Sequence, residues 1–86
     1  MHREDYEKLK HPENFSLTAL LKLSKLRRKL SEYGYEFFGL KEGEIILLLE
    51  TARLLDCTEA KTLAGQFLQQ VGVQHNEFIA AGRQHS

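Results

Sequence analysis

The sequence predicts an all-α fold, a small irregular or orthogonal bundle of three main helices plus a short C-terminal one. Two observations predict it. Apolar residues recur at helical spacing through three separate stretches, 16–33, 41–55 and 57–71. Glycines at 34, 39, 43 and 72 punctuate the gaps between them. Length sets the scale: 86 residues make one domain. A chain of that size buries only about 60% of its unfolded surface, so its core is marginal.

Residues 1–13 read as a polar arm, 14–83 as the helical domain and 84–86 as a frayed tail. In the arm, Tyr6 and Leu9 can dock as one loose turn. His11-Pro12 ends that turn, because the residue before proline is pushed out of the helical region. The first main helix spans about Ser16 to Tyr33. Asn14 or Ser16 caps it, since a short side-chain oxygen satisfies an orphan amide. Leu17, Leu20, Leu21, Leu23, Leu26 and Leu30 give a wide apolar face, with Thr18, Lys22, Lys25 and Lys29 opposite. Arg27 and Arg28 fall within or beside the apolar sector and must snorkel, pair or meet a partner.

The connector from Tyr33 to Gly43 carries Tyr33, Tyr35, Phe37 and Phe38, with room for a short extended piece at 35–38. The second main helix, about Lys41 to Leu55, is the most informative segment. Ile45, Leu48, Leu49, Ala52 and Leu55 form one stripe. Ile46, Leu47 and Leu54 lie outside it, the last two nearly opposite. A helix apolar almost all round must be covered almost all round, by its own bundle or by a second copy. Asp56 and Glu59 have capping-box spacing for the third helix, about Cys57 to Val71. Its stripe is Ala60, Leu63, Ala64, Phe67, Leu68 and Val71, and Gly72 ends it. Asn76 can cap the short last helix, Glu77 to Gly82.

Formal net charge is zero, which removes the simplest electrostatic argument for nucleic acid. The charge is unevenly placed. Residues 14–33 carry five cations against Glu32, net +4, and residues 34–57 carry five acids against Lys41 and Arg53, net −3. Cys57 is the single cysteine, so a reducing compartment is the simpler reading. The charged N-terminus has no apolar signal region, and the longest apolar run is far short of a membrane span. A cytoplasmic protein is the expectation. The four histidines lack helical ligand spacing, so no metal is expected. No nucleophile elbow, phosphate loop or dinucleotide fingerprint is present, and neither enzymatic activity nor a cofactor is expected.

The functional expectation is a non-enzymatic interaction module that binds protein, first of all itself as a homodimer. Ile46, Leu47 and Leu54 supply the interface, with Arg27, Arg28, Tyr33 and Tyr35 tuning partner choice. The alternative is a small DNA-binding regulator. There Lys22, Lys25, Lys29 and Arg83 contact nucleic acid. Residues 67–82 resemble a degenerate helix-turn-helix, with Leu68 standing where the turn wants a small residue.

Overall fold

The computed structural model describes residues 3–37 and 42–73, and these are all-helical with no strand among them. Four helices follow one another: α1 (Arg3–Leu9), α2 (Leu17–Ser31), α3 (Glu42–Leu54) and α4 (Thr58–Gln70), with a 3-10 turn, Pro12–Asn14, between the first two. α2 packs most extensively on α4, and α3 lies against all three others.

α2 begins where Ser16 Oγ accepts the Ala19 amide at 3.1 Å, so Ser16, and not Asn14, is the cap. Both glycine stops are Schellman motifs. At the end of α2 the Tyr35 amide donates to Leu30 and the Gly34 amide to Ser31. At the end of α4 the Val73 amide donates to Leu68 and the Gly72 amide to Gln69. Each motif needs one residue in the left-handed region, and Gly34 (φ +89°) and Gly72 (φ +75°) supply it.

The core is built from Leu9, Ala19, Leu23, Leu26, Leu30, Ile45, Leu48, Leu49, Ala52, Ala60, Ala64, Phe67, Leu68 and Val73. Ala60, Ala64 and the buried Gly65 are small, which lets α4 approach its neighbours closely. Phe15, just ahead of α2, meets Phe67 edge to face at 5.4 Å and 76°. Leu63, Val71, Leu55 and Ile46 pack half-buried at the margin.

Four expectations are revised. The polar arm holds a seven-residue helix, α1, in place of one loose turn, and its Leu9 docks as expected and is fully buried. Lys8 Nζ donates to the Gly72 carbonyl at 2.7 Å, tying that helix to the cap of α4. The α2 face is narrower than six leucines: Ala19, Leu23, Leu26 and Leu30 are buried, whereas Leu17 and Leu21 are exposed. The cap of α4 is Cys57, in extended conformation and without a side-chain hydrogen bond, so Asp56 stands one residue too early for a capping box. Residues 35–37 carry no regular secondary structure. The short C-terminal helix, Phe38 and the Tyr6 side chain lie outside the described residues.

Candidate protein-binding surface

α3 presents its Ile45, Leu48, Leu49 and Ala52 side to the core. Successive residues on a helix turn by about 100°, so Leu47 and Leu54 fall on the opposite side. They are 58% and 72% exposed. Between them the Thr51 hydroxyl donates to the Leu47 carbonyl at 2.8 Å, so it is already satisfied within the helix. Glu50 on the flank holds Arg53, with Nη2 to Oε2 at 2.8 Å. Ile46 is half-buried and packed on the core margin, leaving Leu47 and Leu54 as the outward pair.

A second apolar surface lies on α2. Leu17 (73% exposed) and Leu21 (54%) are one turn apart on its outer side. Toward the C-terminal end the surface becomes cationic. An open cleft of about 130 Å³ lined by Leu20, Leu23, Ser24 and Arg27 adjoins one of about 360 Å³. The larger cleft shares Ser24 and Arg27 and adds Arg28 and Phe37. Arg27 is half-buried and Arg28 exposed. Among the described residues neither guanidinium has an ion-pair partner. On the rim of the larger cleft, Ser31 Oγ donates to Glu36 at 2.6 Å. The sequence assigned Leu17 and Leu21 to the core and missed them here. The signal was the Ala19, Leu23, Leu26, Leu30 spacing, which centres the buried arc well away from Leu17.

The other candidates are distributed as follows. Tyr33 and Tyr35 are exposed beyond the end of α2. The neighbouring Cys57 thiol, chiefly by hydrogen bonding, holds the Tyr33 phenol above the ordinary tyrosine range. Lys22 is half-buried, Lys25 exposed, and Lys29 is committed internally. The Lys29 ammonium lies 3.0 Å from Glu59 on α4 and 3.4 Å from Glu32. Its hydrogen bond to Glu59, more than any other cause, holds its proton above the ordinary lysine range. Arg83 lies outside the described residues.

No group of three or more His, Cys, Asp or Glu side chains gathers as metal ligands among the described residues. None of their helices is long and apolar enough to cross a membrane. Compared with known proteins, the chain matches no family model, no curated protein and no solved structure.

Proposed function

We propose that this protein is a non-enzymatic helical interaction module that acts by binding protein, first of all a second copy of itself. One observation carries the reading: the outward pair Leu47 and Leu54, 58% and 72% exposed, on the side of α3 facing away from the core. Two leucines separated by seven residues recur at the same angular position, the spacing of a helix–helix seam. The satisfied Thr51 hydroxyl between them asks for no polar partner.

Full burial of a leucine contributes about 1.5–3 kcal/mol. Scaled by present exposure, the pair gives about 2–4 kcal/mol per copy. Association costs about 4 kcal/mol or more. A contact made by this pair alone is therefore weak, and a stable assembly must engage further surface.

The DNA-binding alternative has less behind it. One of its three helical lysines, Lys29, spends its charge on Glu59 and Glu32. Sedimentation of the purified chain tests the preferred reading. The mass should exceed 9.9 kDa and fall back to it on Leu47→Glu with helicity unchanged. A wild-type chain that stays monomeric at millimolar concentration overturns self-association.

A further inference from the structure

The exposed leucines on α3 face a choice of partner surface, and charge decides it. α2 carries Lys22, Lys25, Arg27, Arg28 and Lys29 with no acid between Leu17 and Ser31, a formal +5. α3 carries Glu42, Glu44 and Glu50 against Arg53, a formal −2. Pairing α3 with α3 of another copy joins two helices that each carry a formal −2. Pairing α2 with α2 sets Lys22, Lys25, Arg27 and Arg28 against the same four cations, Lys29 being held by Glu59 and Glu32. Only the crossed pairing places opposite charges together while covering leucines on both sides.

Resting on the self-association reading, we propose that the outer face of α2 in one copy docks antiparallel on the outer face of α3 in another. The two faces share a register. Leu17 to Arg27 is ten residues along α2, and Leu54 back to Glu44 is ten residues along α3, each a span of about 15 Å. With Leu17 set opposite Leu54, Leu47 falls opposite Ser24, in the small cleft beside Leu20. Arg27 then falls opposite Glu44, and Arg28 lies one position beyond. Arg27, half-buried and without an ion-pair partner among the described residues, gains a carboxylate from the second copy. The apolar ends meet at Leu17 and Leu54, and the charged ends meet at Arg27 and Glu44. A parallel arrangement would bring Leu17 to the acidic end and leave Arg27 against Leu54.

Two experiments test the crossed pairing, each on the full chain. In a Cys57→Ser background, Leu17→Cys and Leu54→Cys variants are prepared separately, one carrying a mass tag. Both positions are more than two-thirds exposed, so the folded subunit tolerates the changes. Mild oxidation of the mixture should give chiefly the crossed disulfide, in excess over either variant oxidised alone. Separately, Arg27→Glu should weaken self-association by about tenfold, a change of about 1.4 kcal/mol. Mixing it with Glu44→Arg should restore most of the loss. Both effects should shrink as salt rises.

If Leu54→Cys cross-links to itself as readily as to Leu17→Cys, α3 meets α3 and the crossed pairing is wrong, while self-association stands. Failure of the charge swap to restore binding also overturns the pairing. If no variant cross-links and the wild type sediments as a monomer, both readings fall together.

Discussion

Gly34 is the residue at which backbone chemistry acts alone. It holds φ +89°, and a Cβ built there meets nothing within 4 Å. Any penalty from alanine is thus conformational rather than steric contact with the rest of the fold. Gly34→Ala should lower unfolding stability by about 1 kcal/mol, and Gly34→Asn by less, read from urea denaturation midpoints. Lys29 is a second single-residue test. Its proton is held above the usual 10.5 because the ammonium is hydrogen-bonded to Glu59 in the folded state. A raised folded-state value means the stabilisation is fully present below the unfolded value. It is lost as pH rises through the folded one. The wild type should therefore melt above Lys29→Met at pH 9, and the gap should close progressively above about pH 10.5. A gap that persists at pH 12 would assign the difference to packing of the lysine stem.

At the scale of elements, α1 is the most consequential addition to what the chain reveals by pattern. Seven residues, mostly charged, do not hold a helix in water by themselves. Docking supplies the stability, through Leu9 in the core and Lys8 on the Gly72 carbonyl. Local spacing shows only that Tyr6 and Leu9 can dock as one turn; the contact of Lys8 with Gly72 has no counterpart there, so the segment reads as an arm. Leu9→Ala should cost about 2–5 kcal/mol, far above the effect of a surface change in a true arm. Phe67→Ala should cost about 3–5 kcal/mol, since Phe67 is fully buried and Phe15 loses its ring partner with it. Chemical denaturation reads both.

The remaining elements were legible to different degrees, for physical reasons. α4 was plain because its polar and apolar residues segregate cleanly, and Gly34 and Gly72 marked the helix ends because only glycine sits easily at positive φ. α2 was ambiguous because leucines occupy more than half its circumference. The buried Ala19, not the leucine content, marks which side faces inward. On α3 the opposition of Leu47 to the core stripe could be read directly from angular position. The boundary of α4 was missed by one residue. Cys57 takes the extended cap conformation, so Glu59 is not placed for a capping box and instead meets Lys29.

For the whole molecule, zero formal charge conceals a cationic α2 and an acidic α3. A polyelectrolyte ligand and a second copy respond differently to that separation. Binding to DNA would need Lys22 and Lys25 free together with Lys29, and would weaken steeply with salt. Electrophoretic mobility of mixed-sequence duplex at low salt should show no shift at micromolar protein. A shift abolished by Lys25→Glu would instead favour the nucleic-acid reading. Self-association should show only a shallow salt dependence, because leucine burial carries most of it and the Arg27 contact the remainder.

The latch between Lys8 and the Gly72 carbonyl joins positions 64 apart in the chain. It has a kinetic consequence. During synthesis α1 can settle on α3 as soon as that helix is made, but the latch itself cannot close until Gly72 has been added. Residues 3–9 should therefore gain amide protection in two steps on refolding, a first when α3 joins the core and a second when the α4 cap closes, and pulsed hydrogen exchange would time the interval between them.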